Sequence, residues 1–169
     1  INDEVANIVL SLDVDFEMLE KVKNNSLIIT HHPLIFKGLK QLNTALFPAS
    51  LIGKMFQKNI KLIAMHTNFD KTDLNQFVLS EVLKMKIVEN INDFILVAEP
   101  KITRNELFKI LKENLNLKML KTVNVPNKIN RLALTTGSGG SLISELNNKN
   151  IDLFLTGDIK YHEAMEAKL

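Results

Sequence analysis

The segment LIITHHP, residues 27–33, places a short apolar run directly before two adjacent histidines and a proline. The run Leu27–Thr30 predicts a buried β-strand, because Ile and Thr favour extended backbone. Pro33 ends that strand, since proline has no N–H to donate to a neighbouring strand. We therefore expect His31 and His32 at the end of a strand.

Two further apolar runs flank this segment. Asn7–Asp13 (NIVLSLD) predicts a preceding strand, and Lys61–Met65 (KLIAM) predicts a following one. The stretches between the strands have apolar residues at helical spacing: one helix starts after Asp15 as N-cap, and the other covers Ala49–Lys58. Strand, helix, strand, helix and strand in this order predict a parallel sheet with right-handed crossovers.

The pattern changes between Val88 and Asp93, where we place a domain boundary. We expect a metal-site α/β domain over residues 1–90 and a second α/β domain over residues 91–169.

The other expected elements are three helices and four strands. The helices are one through Leu74, Phe77, Val78 and Val82, one with a capping box at Thr103 and Glu106, and one through Leu142, Ile143 and Leu146. The strands are Phe94–Ala98, Met119–Val125, Arg131–Thr135 and Asp152–Leu155. The expected fold class is α/β, with mostly parallel sheets flanked by helices.

Composition narrows the kinds of site that the chain can hold. Its 169 residues include no cysteine, so any metal must be bound by His, Asp, Glu, carbonyl oxygen or water. Lys plus Arg number 21 against 19 for Asp plus Glu, and this net charge of +2 does not call for a nucleic-acid partner. No apolar run approaches the ~20 residues of a membrane-spanning helix, so we expect a cytoplasmic protein without a membrane partner. The chain opens without methionine and stops within a predicted helix, so we expect further residues at both ends.

Ligand-type side chains follow three of the predicted strands. His31 and His32 follow the second strand, His66 and Asp70 follow the third, and Asp158 follows the last. In parallel α/β sheets, ligands bind beyond the carboxyl ends of the strands. Imidazole together with carboxylate suits Zn²⁺, Fe²⁺, Mn²⁺ or Ni²⁺. The sequence therefore predicts a metal site beyond these strand ends, with His31, His32, His66 and Asp70 as candidate ligands.

These residues also have plain structural interpretations. A His-His pair is often a surface or loop feature, and Asp70 can cap the next helix after an Asx-type turn. Asp158 can cap the helix that contains His162, or can reach the site as a base. His162 and Glu166 share a helix face at i, i+4 spacing, which fits a solvated face. Thr135–Ser141 (TTGSGGS) joins a predicted strand to a predicted helix. This pattern favours a tight turn, and the alternative is an anion-binding site at the start of the helix.

Five motifs in this order resemble the Nif-three-like family, whose members are named GTP cyclohydrolase 1 type 2 homologues. The motifs are LSLD (residues 10–13), LIITHHPLIFKGLK (27–40), HTNFD (66–70), TGSGGS (136–141) and LTGDIKYHEAMEA (155–167). The resemblance covers nearly the whole chain. It implies a two-domain Nif-three-like fold that assembles as a toroidal homohexamer with metal pairs facing an interior cavity.

The resemblance also implies a dinuclear centre of two divalent metal ions (Zn, Fe, Mn or Ni). By this resemblance His31, His32 and Asp70 are metal ligands, and His66 lies beside the site. Family members complete the pair with a His and a Glu from a C-terminal segment, which we expect beyond Leu169.

The function implied by the resemblance is a divalent-metal-dependent hydrolase acting on GTP or a related nucleotide. Water would attack the guanine imidazole carbon, open the ring and release formate. His66, Asp158 and His162 are then the expected catalytic residues, because each can move protons. One alternative is a metal-binding toroidal scaffold or adaptor with protein or nucleic-acid partners and no GTP turnover. Another is a hydrolase for a different nucleotide or phosphoester.

Overall fold

The computed structural model describes residues 4–168, and contacts within the chain divide it into two units, Ile1–Asn68 and Phe69–Leu169. The domain boundary expected between residues 90 and 91 stays a prediction.

The first unit contains a parallel sheet and two helices. The sheet runs in the order β1 (Asn7–Ser11), β2 (Ser26–Thr30) and β3 (Lys61–Ala64), and the helices are α1 (Phe16–Lys21) and α2 (Ala49–Gln57). The predicted N-cap of α1 is confirmed, since Asp15 Oδ1 accepts a hydrogen bond from the Met18 N–H at 2.7 Å. The predicted parallel arrangement of these three strands is also confirmed.

The two faces of this sheet differ in exposure. On one face Ile28 is fully buried and packs in a cluster with Leu19 of α1 and Leu51 of α2. On the other face lie Ile8 and Leu10, whose residues are 63% and 76% exposed. Strand register places Leu10 beside Ile29 and Ile29 beside Ile63, so all three share that face. We call the surface formed by Ile8, Leu10 and Ile63 the open sheet face.

The second unit begins with a helical segment and continues as a mixed α/β structure. Its elements are α3 (Thr67–Phe69, at the division), π-helical turns at Asp70–Leu74 and Phe77–Val82, β4 (Ile87–Asn90), β5 (Leu96–Ala98), β6 (Ile102–Thr103), α4 (Arg104–Asn114), β7 (Lys128–Ile129), β8 (Leu132–Ser138), a 3₁₀ helix at Gly140–Leu146, β9 (Leu153–Asp158) and α5 (Tyr161–Glu166).

The main sheet of this unit has the order β4-β5-β8-β9. Strands β8 and β9 are parallel, whereas β4 with β5 and β5 with β8 are antiparallel. Leu107 and Leu111 of α4 are buried in the same cluster as Leu132 and Leu134 of β8. The α/β fold class is confirmed, with parallel pairing throughout the first sheet and mixed pairing in the second.

The capping box predicted for α4 is confirmed. The Glu106 N–H donates to Thr103 Oγ1 at 3.3 Å, and the Thr103 N–H donates to Glu106 Oε2 at 2.8 Å. These hydrogen bonds with Thr103 hold the pKa of the Glu106 carboxyl below its usual value.

The strand expected over Met119–Val125 is wrong, because this segment is irregular. Asn124 adopts φ of +44°, which interrupts extended backbone, and Met119 is 71% exposed. The helix expected from Leu74 onward is present but largely π-helical, and the one expected through Leu142 is 3₁₀. Among the helices in residues 4–168, none has the length and apolar character needed to cross a bilayer.

Candidate metal centre

The backbone at the end of β2 fixes the position of the histidine pair. The ladder between β1 and β2 continues past both strands, since His31 N–H donates to Ser11 O at 3.2 Å and His32 N–H donates to Leu12 O at 2.9 Å. The buried Thr30 hydroxyl donates to His32 O at 2.8 Å. These bonds hold the main chain on both sides of the pair.

Met65, which follows β3, links that strand to the pair through its own main chain. Its N–H donates to Thr30 O at 2.7 Å, and its carbonyl oxygen lies 3.1 Å from His31 Nδ1. The next residue is His66, so the same hydrogen bonds set the backbone that carries the third histidine.

The three imidazoles meet at this end of the sheet. Ring centroids are separated by 5.0 Å for His31 and His32, 5.2 Å for His31 and His66, and 5.9 Å for His32 and His66. One nitrogen from each ring can be chosen so that all three lie within 4.8 Å of one another. We call this group the histidine trio. Within residues 4–168 no other three His, Asp, Glu or Cys side chains meet this distance condition.

Hydrogen bonds indicate which nitrogens of the trio can bind a cation. A carbonyl oxygen only accepts, so His31 Nδ1 carries the proton that it shares with Met65 O, and the lone pair of that ring is on Nε2. His32 Nδ1 lies 2.9 Å from Asp13 Oδ1, and donation to this carboxylate likewise leaves the lone pair on Nε2. Metal-binding histidines commonly donate their second N–H to a carbonyl or carboxylate in this way.

The trio therefore fits a divalent cation. Two nitrogens bound to one tetrahedral Zn²⁺ are roughly 3.4 Å apart, given Zn–N bonds of about 2.1 Å. The nitrogens of the trio are spread over up to 4.8 Å, and small rotations of the half-buried His31 and His66 and the exposed His32 would bring them closer together. Imidazole nitrogens are a donor type that divalent transition-metal cations accept.

A groove adjoins the trio in the long loop that follows Pro33. It has a volume of about 480 Å³ and is lined by residues between Leu34 and Ala49, including Phe36, Lys37 and Lys40. The Phe36 ring stands edge-on to the His66 ring, with 6.4 Å between their centroids. We call this feature the loop groove.

The other predicted site residues belong to the second unit. Asp70 begins a π-helical turn four positions after His66 in the chain, and its role as a ligand stays a prediction. Asp158 is the exposed last residue of β9. His162 lies exposed in α5, where its ring is 5.3 Å from that of Tyr161. Their catalytic roles stay predictions.

The glycine loop after β8 is held by hydrogen bonds to a threonine of β9. Thr156 Oγ1 accepts from the Gly139 N–H at 2.9 Å and lies 2.9 Å from Gly137 O. Gly137 has φ of +68°, a left-handed conformation that favours glycine. The left-handed conformation of Gly137 and the hydrogen bond from the Gly139 N–H are typical of a tight turn.

Two supporting groups of the trio were not singled out from the sequence. Asp13 ends the predicted first strand, and its place at the carboxyl end of a parallel strand was a signal that could have identified it. The Met65 carbonyl belongs to the main chain, so no side-chain pattern indicates it.

Comparison with known proteins agrees with the motif resemblance. The model of the Duf34/NIF3 (NGG1p interacting factor 3) family matches residues 1–169. A GTP cyclohydrolase 1 type 2 homolog of Campylobacter jejuni is 44% identical over 167 residues, covering 98% of this chain and 68% of that protein. A GTP cyclohydrolase 1 type 2 of Helicobacter pylori is 38% identical over 167 residues, covering 99% of this chain and 68% of that protein.

Solved structures give the same result. The crystal structure of a Staphylococcus aureus hypothetical protein matches with a TM-score of 0.80 and 29% identity, covering 98% of this chain and 71% of that one. The Nif-three-like resemblance is thus confirmed by family model, sequence and fold. This chain belongs to the Duf34/NIF3 family.

Proposed function

We propose that this chain carries the divalent-metal site of a hydrolase that acts on GTP or a related nucleotide. The observation that carries the proposal is the histidine trio, with one nitrogen from each ring within 4.8 Å of the others at the carboxyl ends of parallel strands. The substrate class is supported by the name of a 38% identical relative, GTP cyclohydrolase 1 type 2 of Helicobacter pylori.

His31 and His32 would hold the cation through Nε2, and Asp70 would add a carboxylate ligand. The family resemblance supports two ions (Zn, Fe, Mn or Ni) rather than one. When bound, such an ion supplies Lewis-acid activation of water near neutral pH. His66, within the trio, is proposed to move a proton at a ring nitrogen. Asp158 and His162 are proposed as further proton carriers.

The loop groove supports the proposal, because it offers space for a substrate beside the trio. An aromatic ring such as Phe36 can stack on a purine, and the ammonium groups of Lys37 and Lys40 can pair with phosphate oxygens. A small phosphorylated substrate fits a groove of about 480 Å³. A homohexameric assembly and a cytoplasmic location belong to the same proposal and rest on the family resemblance.

The test of activity is release of formate from GTP. The protein is loaded separately with Zn²⁺, Mn²⁺, Fe²⁺ and Ni²⁺ and incubated with GTP, while formate and ring-opened product are measured. We expect formate to appear as GTP disappears with at least one metal. No turnover with any of the four metals, together with retained metal binding, would favour the scaffold alternative.

The test of the metal site is elemental analysis of variants. His31→Ala and His32→Ala are expected to lower metal content by half or more without changing the unfolding midpoint of the metal-free protein. His162→Ala is the matched control, because it removes an imidazole outside the trio and is expected to keep its metal. Unchanged metal content in both trio variants would overturn the assignment.

A further inference from the structure

We infer that Asp13 is a positioning residue of the histidine trio, which fixes the tautomer and orientation of His32. The inference rests on the proposed metal site, and it assigns a role to a residue that touches neither metal nor substrate. Asp13 Oδ1 lies 2.9 Å from His32 Nδ1, within hydrogen-bond distance.

The backbone holds these two residues together. Leu12 O, directly before Asp13, accepts the His32 N–H at 2.9 Å, so the parallel register of β1 and β2 extends to the contact. The Thr30 hydroxyl also binds His32 O at 2.8 Å. The carboxylate and the ring therefore meet because the main chains beneath them are already paired.

The chemistry of the contact determines which ring nitrogen is free. An ionised carboxylate only accepts hydrogen bonds, so His32 Nδ1 must carry the proton and Nε2 keeps its lone pair. The negative charge also makes that lone pair a stronger donor to a cation. His31 receives the equivalent support from Met65 O, which is neutral. The two adjacent histidines thus have unequal partners.

If the contact between Asp13 and His32 were a surface ion pair without a functional role, removal of Asp13 would leave metal binding unchanged. The side chains of His32 and Asp13 are 50% and 68% exposed, and exposed pairs contribute little to folding stability. Removal of Asp13 is therefore expected to leave the metal-free fold intact while weakening metal binding.

The experiment compares wild-type protein with Asp13→Ala, Asp13→Asn and Asp13→Glu, and uses Glu17→Gln as the control. Glu17 lies in the same unit and pairs with Lys21, so its substitution removes one negative charge away from the trio. Zn²⁺ affinity is measured by competition with a chelating dye. We expect Asp13→Ala to weaken binding by about 10- to 100-fold, Asp13→Asn to weaken it less, and Asp13→Glu to restore part of it. Glu17→Gln should bind as wild type.

Nitrogen-15 NMR of the histidine rings in metal-free protein at about pH 8 provides a readout independent of the metal. This pH is well above the ~6.5 at which free histidine titrates. His32 is expected as the Nδ1–H tautomer in wild type and with a substantial Nε2–H population in Asp13→Ala. The same His32 tautomer in both proteins would overturn the inference, as would equal loss of Zn²⁺ affinity in Glu17→Gln. If wild type binds no Zn²⁺, the proposed metal site fails, and the tautomer comparison still decides the role of Asp13.

Discussion

Asp152 shows how one side chain joins two strands of the second unit. Its Oδ2 accepts hydrogen bonds from the Arg131 N–H at 3.0 Å and the Asn130 N–H at 2.6 Å. These two bonds hold the pKa of the Asp152 carboxyl below its usual value, because they favour the charged form. The contact ties the residues before β8 to the residue before β9.

Stability is expected to depend on pH through this group. A carboxyl whose folded pKa lies below its unfolded value of ~3.9 stabilises the fold fully above that pH, and the contribution is lost as pH falls through the folded value. Asp152→Asn should therefore lower the thermal unfolding midpoint at pH 7, and its difference from wild type should shrink below about pH 4. Circular dichroism melts at pH 7, 5, 4 and 3 measure this. Glu113→Gln, an exposed carboxyl of α4, is the control, and a difference for Asp152→Asn that is as large at pH 3 as at pH 7 would contradict the explanation.

Local contacts of single residues were predictable, and distant ones were not. The caps at Asp15 and Thr103 follow from neighbours three positions away, which the sequence displays directly. The Asp13 contact joins residues 19 positions apart, and only the pairing of β1 with β2 brings them together. The residue types at 31, 32 and 70 predicted a metal site with His66 beside it, but the distances between the three imidazoles depend on the same tertiary pairing.

At the scale of elements, the 3₁₀ helix at Gly140–Leu146 has a tightly packed entry. A Cβ on Gly139 would lie 2.3 Å from Thr135 Cγ2, 2.7 Å from Thr156 Oγ1 and 2.9 Å from Phe154 Cζ. These distances are shorter than real Cβ contacts. The junction between β8 and this helix is therefore packed to the limit of a residue without a side chain.

We expect Gly139→Ala to lower the free energy of unfolding by about 1–3 kcal/mol, because neighbouring side chains must shift to admit the methyl group. Gly38→Ala is the matched control, since a Cβ there meets nothing within 4 Å. Urea unfolding followed by circular dichroism compares the two variants. Equal stability of both variants would show that the junction relaxes without cost.

Strands and helices were predictable where the hydrophobic periodicity was clear. They were less predictable where tertiary packing decides the type of helix or the pairing of a strand. The strands around β1, β2 and β3 and the helix α4 were located from apolar spacing. The π-helical and 3₁₀ segments have the same apolar spacing as ordinary helices, so periodicity could not distinguish them. Met119–Val125 alternates like a strand but is irregular, with Asn124 in a left-handed conformation and Met119 exposed.

At the scale of the whole molecule, the exposure of the open sheet face differs from the expected parallel sheets flanked by helices. Parallel sheets are usually covered on both faces, yet Ile8 and Leu10 are 63% and 76% exposed. The alternation of strands and helices indicated the fold class, but it could not indicate which sheet face would be covered. That outcome depends on how the elements pack in three dimensions.

This surface should bind hydrophobic dyes and promote self-association of the chain. The double substitution Ile8→Thr and Leu10→Thr is expected to reduce the fluorescence of anilinonaphthalene sulfonate at least two-fold. The unfolding midpoint should change little, because threonine favours strands and little burial is lost. Val88→Thr is the control, as Val88 is an exposed apolar residue outside this face. Equal dye fluorescence in wild type and the double variant would contradict the expectation.

Exposure of the open sheet face also bears on how stability responds to temperature. The heat capacity increment of unfolding arises chiefly from apolar surface newly wetted when a chain unfolds. Side chains such as Ile8 and Leu10, which are already wet in the folded state, add little to that increment. We therefore expect the Gibbs–Helmholtz curve of this chain to be flatter than that of a chain of equal length with both sheet faces covered, and its fold to be weakened less by cooling.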